Sequence, residues 1–375
     1  MFDNKTVLFA AGGTAGHINP ALSVAGLVRY LHPGCGIHFV GTADHMEAKL
    51  VPDAGYAFHT IEISGFQRDF SPASIKRNLS TLRKLLTVTG QVNKLLKEIK
   101  PDLVVGFGGY VSGPVLRAAA KAGIPTAIHE QNAFPGVTNK ALAKQVDAVM
   151  LTSEDARARM KCKNEPIHTG LPIRREFYAC ARGQCRKELC LDSRPMVLSM
   201  GGSQGARAVN EAVRGMVAAL APSHGVYFCH AYGQHGQSFP ADLRSMGVDT
   251  EAPELNLREY VDDTARRMAA ADLFIGRAGA STINELQATG KPGILIPYPY
   301  AAENHQFFNA KTLADCGAAI VIEEKDLTPQ LLTQTVKELI ADPARLKAMG
   351  EAAKAMAVTD ASERIYEVLR KLVDS

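Results

Sequence analysis

The 375 residues contain no uninterrupted apolar stretch of about 18, so no segment is long and apolar enough to be read as a membrane-spanning helix. An excess of one charge is missing as well. Lys and Arg number 42 against 38 Asp and Glu, which leaves +4 and no long basic run, so nucleic acid is not an expected partner. The opening MFDNKTVLFAAGGTAGH lacks the basic n-region and small-residue cleavage site of a secretory leader, and a cytoplasmic location is expected. The seven cysteines are odd in number and never fall in CxxC pairs. Cys180, Cys185 and Cys190 recur every five residues, about 140° apart on a helix, and cannot converge on one metal from a single regular helix. Reduced structural thiols are expected instead.

What the chain does have is a core. Hydrophobic residues make up 46% and charged residues 21%, and the length suits two domains of roughly 100–200 residues each. Short apolar runs alternate with helical patterns: 6–10, then a glycine-rich turn and a helix from Pro20, with further strands at 37–40, 102–105, 125–128 and 148–151. The rhythm restarts at 195–200 and continues at 226–229, 273–275, 293–296 and 319–322. Continuous apolar strands separated by helices predict two doubly wound parallel sheets, joined near 168–174. Ligands of such sheets bind beyond the carboxyl ends of the strands, so the loops there carry the candidate chemistry.

The first loop, Gly12-Gly13-Thr14-Ala15-Gly16-His17, and its counterpart Gly201-Gly202-Ser203-Gln204-Gly205 both read GGxxG after a strand. Neither is a Walker loop, and the first is an imperfect dinucleotide fingerprint even with Asp44 downstream. Asn19 is the expected N-cap of the first helix, with Pro20 at its first position. His17, beside a helix N-terminus, is suited to be a neutral general base or a histidine that bonds its own turn. Glu130 is a second candidate acid or base, and His129 reads as structural. Ser112 and Asn132 are candidates for binding hydroxyl-rich ligands or for forming turns. In 272–285 a strand, a glycine-rich turn and a helix follow one another. Thr282 and Glu285 fit a capping box, while the alternative has amides at 280–282 facing a diphosphate and Glu285 accepting from ribose hydroxyls. Ile75, Leu79, Leu82, Leu85 and Leu86 recur at helical spacing among Lys76, Arg77, Arg83 and Lys84, which suits a core-facing stripe or a membrane surface.

Taken together, GGTAGHINPAL, GFGGYVSGP, HEQNAFPGVTNK, GGSQGA and GRAGASTINELQATGKPGILIPYPYAAENHQFFNA resemble the bacterial MurG family. These are N-acetylglucosamine transferases that act on a pyrophosphoryl-undecaprenol muramyl-pentapeptide. The resemblance runs from about residue 7 to about residue 322. It implies the GT-B fold, two Rossmann-like domains facing across a cleft. The expected domains are 1–170, completed by a final helix at 358–375, and 171–357, which binds the donor.

The implied reaction moves GlcNAc with inversion from UDP-GlcNAc to the C4 hydroxyl of lipid I, forming lipid II. The implied base is His17, assisted by Glu130. Thr14, Ala15 and Gly16 would lie near the donor sugar and diphosphate, with Asn132, Arg174 and Ser203 as donor contacts. The backbone of Val261 would read uracil. Ala280, Ser281, Thr282, Ile283, Asn284 and Glu285 would hold phosphate and ribose, and Gln306 would close over the nucleotide. Ala15 stands where the family commonly has glycine. No DxD pair follows a strand, so neither a metal nor a cofactor is expected. A lipid-linked acceptor implies peripheral docking at the cytoplasmic face of the inner membrane, through anionic lipid and the basic stretch at 75–86. Other cell-wall synthesis proteins are the remaining implied partners. The rivals are a UDP-GlcNAc 2-epimerase, a nicotinamide oxidoreductase and a nucleotide-sugar sensor.

Overall fold

The computed structural model describes residues 2–63, 87–202 and 204–374, so Ser203 and the stretch 75–86 lie outside the described residues. The chain divides into two compact units, residues 1–173 with 360–375, and residues 174–359.

The first unit is built on strands β1 (Thr6–Ala10), β2 (Gly36–Gly41), β3 (Ala57–Thr60), β4 (Leu103–Gly106), β5 (Thr126–Glu130), β6 (Ala148–Leu151) and β7 (Ile167–His168). They form one parallel sheet in the order β3-β2-β1-β4-β5-β6-β7. The central strands are buried on both faces, which is why they read as continuous apolar runs. One face packs Phe9, Phe39 and Val105 against Val24 and Val28 of the helix Ala15–Leu31 and against Ile365, Val368 and Leu369 of the helix Ala361–Asp374. Each such burial is worth about 1.5–3 kcal/mol, enough to hold the chain's last helix on this sheet. His32 adds a polar tie: its Nε2 lies 2.9 Å from the Tyr366 hydroxyl and its Nδ1 3.1 Å from Asp3. The other face packs Leu8, Val40 and Val104 against Val88, Val92 and Leu116.

The second unit repeats the plan with β8 (Met196–Met200), β9 (Tyr227–Ala231), β10 (Leu255–Arg258), β11 (Leu273–Gly276), β12 (Gly293–Leu295) and β13 (Ala319–Val321). The order is β10-β9-β8-β11-β12-β13, again parallel throughout. Strand order reverses between β1 and β4 in the first sheet and between β8 and β11 in the second. At these switch points the chains leave in opposite directions and open a crevice at the strand ends. Ala10 pairs with Gly106 and Met200 with Gly276, so each pair of loops starts side by side.

Two expectations about helix starts are corrected. The first helix begins at Ala15 with Thr14 as N-cap, not at Asn19, and Pro20 lies inside it. The missing Pro20 N–H deprives the Gly16 carbonyl of its helical partner. The N-cap of the helix Ala280–Thr289 lies three residues before the expected Thr282: it is Gly279, extended at φ −66°, ψ 150°. Thr282 is therefore already helical, and there is no capping box.

Candidate functional site

In the first unit the loops after β1, β4 and β5 meet around His17. The Gly12 carbonyl lies 3.0 Å from His17 Nδ1, and a carbonyl can only accept, so Nδ1 carries the proton. In the neutral ring the lone pair is then on Nε2. The Thr14 hydroxyl is 3.4 Å from the same Nδ1. Below Nε2 lies the backbone of Gly108, at φ +98°. A Cβ there would stand 3.0 Å from His17 Nε2 and 3.3 Å from Gln131 Oε1, so only glycine admits the ring. Gly109, at φ +80°, is pressed still closer, since a Cβ on it would come within 2.3 Å of the Gly12 carbonyl oxygen. The Thr14 side chain does not cap the first-turn amides of this helix.

The carboxylate that shapes this loop is Glu47, which the sequence did not single out. It is fully buried, and it accepts from the Gly13 amide at 3.0 Å, the Thr42 amide at 3.1 Å and the Thr42 hydroxyl at 2.8 Å. Burial alone would raise its pKa, but these donors, the Gly13 amide foremost, outweigh it and hold the group below the ordinary glutamate value. Nothing local marks Glu47. It lies 34 residues beyond Gly13 in the chain, and only the fold brings the two together.

Glu130, the second candidate acid or base, ends β5 and gathers the loop that follows. One oxygen takes the Asn132 amide at 2.9 Å and the Asn132 side chain at 3.2 Å; the other takes the Gly136 amide at 3.1 Å and Asn139 Nδ2 at 2.9 Å. With both oxygens occupied and only 2% exposure, its carboxylate organises the loop 131–136. Asn132 is fixed by the same carboxylate. Replacing Glu130 with Ala removes the acceptor of four donors, one of them the buried Asn139 side chain. With about 1–3 kcal/mol for a buried unmet donor, denaturant unfolding should show a loss of at least about 1 kcal/mol. A Glu130→Ala protein with unchanged stability would contradict this framework role.

Ser112 is also spent. Its buried hydroxyl accepts the Gly108 amide at 3.0 Å and lies 2.9 Å from the Ala10 carbonyl, so it pins the loop and is not offered to a hydroxyl-rich ligand. His129 is structural, as expected. Its Nε2 lies 2.8 Å from the Gly170 carbonyl, and burial drives its pKa down to about 4.

In the second unit, no side chain caps the helix Ala280–Thr289, and its first turn contains no acidic residue. Ile283 N–H bonds the Gly279 carbonyl at 3.0 Å, which leaves the amides of Ala280, Ser281 and Thr282 as the helix's orphan donors. Aligned with the helix dipole, they favour an anion. Ile283 is buried in the interior, and Asn284 braces the first turn by donating to the Ala280 carbonyl at 2.9 Å.

Glu285 is half-buried and receives no hydrogen bond from a described residue. Burial pushes its carboxyl up to about 7, against the opposing charge of Arg174. Arg174 itself is exposed, with its guanidinium 5.2 Å from the centre of the Phe177 ring. The structure thus brings Arg174 and Glu285 within electrostatic reach.

The other candidate loops of this unit are held by their own contacts. Gly205, at φ +82°, abuts the chain after β9, where a Cβ would lie 2.3 Å from the Tyr232 carbonyl oxygen. Val261 is buried, and its carbonyl accepts from the Thr264 hydroxyl at 2.7 Å. Gln306 Oε1 accepts the Tyr298 amide at 3.0 Å and ties the chain after β12 to the helix His305–Asp315. Just before that helix, Glu303 and Asn304 both hold positive φ, at 54° and 53°, which stores strain in the segment the sequence expects to close over a nucleotide. Among the described residues, no cluster of three or more His, Cys, Asp or Glu could hold a metal ion.

Comparison with known proteins bears on this geometry. Residues 7–151 match the glycosyltransferase family 28 N-terminal domain, and residues 196–365 match the glycosyltransferase family 28 C-terminal domain. A curated protein of Desulfitobacterium hafniense is 42% identical over 366 residues, covering 96% of this chain and 98% of its own. One of Acetivibrio thermocellus is 40% identical over 368 residues, covering 98% of each. Both are named UDP-N-acetylglucosamine–N-acetylmuramyl-(pentapeptide) pyrophosphoryl-undecaprenol N-acetylglucosamine transferase. The crystal structure of Acinetobacter baumannii MurG superposes with a TM-score of 0.77 at 30% identity, covering 98% of this chain and 99% of that one.

Proposed function

The chain belongs to the MurG family of glycosyltransferases, with the GT-B fold, and we propose that its two units divide one reaction between them: the second holds UDP-GlcNAc and the first deprotonates lipid I. The reaction moves GlcNAc to the muramyl C4 hydroxyl and releases UDP, giving lipid II. The observation that carries this reading is the conjunction, on one helix, of three orphan amides with the unbonded carboxylate of Glu285. Amides suit a diphosphate, and a carboxylate, which only accepts, suits the two hydroxyls of a ribose.

The acceptor oxygen attacks the anomeric carbon as the bond to UDP breaks, inverting α to β. Its proton passes to Nε2 of His17, the nitrogen that carries the neutral ring's lone pair when Nδ1–H bonds the Gly12 carbonyl. That bond also stabilises the imidazolium that forms. Negative charge growing on the leaving diphosphate is met by the amides of residues 280–282, dipoles already aligned before the reaction. With the charge met this way, turnover should survive EDTA. Activity abolished by chelator and restored only by Mn²⁺ would contradict the assignment.

The reading as a whole is tested by incubating the protein with labelled UDP-GlcNAc and lipid I. A β1→4-linked product in the lipid fraction is expected; label that stays in the nucleotide pool, or an epimerised donor formed without acceptor, would reject it.

A lipid-linked acceptor places the work at a membrane surface, and the apolar and basic residues interleaved over 75–86 supply the sequence chemistry for docking there. No described helix is long and apolar enough to cross a membrane. The protein should co-sediment with vesicles containing phosphatidylglycerol, and the combined Lys76→Glu, Arg77→Glu, Arg83→Glu and Lys84→Glu variant should remain in solution. Equal sedimentation of the two would rule out docking through this stretch.

A further inference from the structure

At the opposite end of the helix Ala280–Thr289 from the orphan amides, the second unit contains a cavity of about 450 Å³, lined among others by Arg182, Asp272, Lys291, Lys347, Glu351 and Lys354. A ten-residue helix spans about 15 Å, so this cavity is separate from the diphosphate amides although it is joined to them by one rigid element. Its charges do not cancel. Arg182 pairs with Asp272, and Lys347 lies 3.7 Å from Glu351. Among the described residues neither Lys291 nor Lys354 is ion-paired with a carboxylate, and Asp272 reaches Lys291 only through its charge. Lys291 Nζ donates to the Ala269 carbonyl at 2.7 Å and the Ala271 carbonyl at 2.9 Å, and Lys354 Nζ donates to the Ala288 carbonyl.

Those carbonyls are dipoles at helix C-termini, so the ammonium groups keep a net positive charge. An ammonium has three N–H donors, which leaves one on Lys291 and two on Lys354 unspent. The backbone holds the two lysines in place. Gly350 fits against Gly290 so closely that a Cβ would lie 2.6 Å from the Gly290 carbonyl oxygen, which fixes the helix Pro343–Ala355 over the end of the helix Ala280–Thr289.

We propose that this cavity binds a small polyanion, a phosphate or diphosphate ester, whose oxygens take the unspent donors of Lys291 and Lys354. A tetrahedral oxyanion can accept from donors that converge from different elements. The volume, within the range of about 300–1,000 Å³ typical of small-ligand pockets, leaves room for the rest of a phosphorylated small molecule. Lys291 is only 7% exposed, and burial, reinforced by Arg182 and only partly offset by Asp272, holds its pKa down to about 8, so a bound anion would complete the compensation of this ammonium. The site goes beyond the transfer reaction and does not depend on it.

The test is calorimetric titration of the full chain with inorganic pyrophosphate at low salt, with saturating UDP present to occupy the nucleotide site. One equivalent should bind. Lys354→Glu, at an exposed position outside the transfer site, should weaken that binding at least about tenfold, the size of a lost charge-assisted hydrogen bond, and leave UDP affinity unchanged. Lys291→Met should weaken it too; because that variant removes a buried tie and threatens folding, Lys354→Glu carries the result. Lys94→Glu, a lysine of the first unit, is the control for general charge. No binding at about 10 mM, too weak to count as a site, overturns the proposal. So does pyrophosphate binding that is indifferent to Lys354→Glu, or equally weakened by Lys94→Glu.

Discussion

Replacing His17 with Ala should slow transfer by about 10²–10⁴-fold, the range a positioned general base supplies, and leave donor affinity nearly unchanged. The expectation follows from one hydrogen bond. Because Gly12 offers a carbonyl to Nδ1, the neutral ring has its proton there and its lone pair on Nε2. His17→Asn separates the two functions of the ring, since an amide N–H can keep the bond to Gly12 but cannot take a proton near neutral pH. It should fold like the parent and be as slow as His17→Ala. Either variant turning over at the parental rate with lipid I would remove His17 from the mechanism.

Glu285→Gln should have effects of opposite sign on stability and on binding. The folded carboxyl titrates near 7 against about 4.5 for an ordinary glutamate, so between those values the folded state holds a proton that the unfolded state has lost. Its favourable contribution is therefore complete below about pH 4.5, declines as pH rises and is gone above 7. At pH 8 the free protein carries a buried, poorly compensated charge costing on the order of 3 kcal/mol. Gln removes that cost, and the melting temperature of the ligand-free protein should rise at pH 8 and change little at pH 5. Donor binding should move the other way, weakening about 10–100-fold with the loss of charge-assisted bonds to the ribose. Since the ribose donates to the ionised form, parental affinity for UDP-GlcNAc should fall about tenfold for each pH unit below 7, and Glu285→Gln should be flat. A diphosphate diester does not titrate in this range, so the slope belongs to the protein. A Glu285→Gln protein less stable at pH 8 would contradict the buried, poorly compensated charge, and undiminished donor affinity would free Glu285 from the ribose.

Much of the architecture was legible because its signals are local. The inner strands of both sheets are buried on both faces and read as apolar runs, and GGxxG marks the first loop of each unit. The strands that escaped notice, β3, β7 and β10, all lie at sheet edges. Ala57-Phe-His-Thr60 and Leu255-Asn-Leu-Arg258 mix polar and apolar residues because one side of an edge strand needs no continuous apolar cover, and Ile167–His168 is only two residues long. The candidate site was legible where a residue bonds within its own loop, as His17 does with Gly12. It was not where the partner comes from afar. Asp44 drew attention as the acid downstream of a glycine loop, yet the acid that holds the loop is Glu47. Glu130 looked reactive because a carboxylate at a strand end is free in sequence, and only the folded loop shows four donors around it.

The most direct measurement is a crystal structure of the protein with UDP-GlcNAc. The account predicts diphosphate oxygens within hydrogen-bonding distance of the amides of Ala280, Ser281 and Thr282, and both ribose hydroxyls on the carboxylate of Glu285. A nucleotide lodged away from that helix, with those amides still facing water, would contradict it.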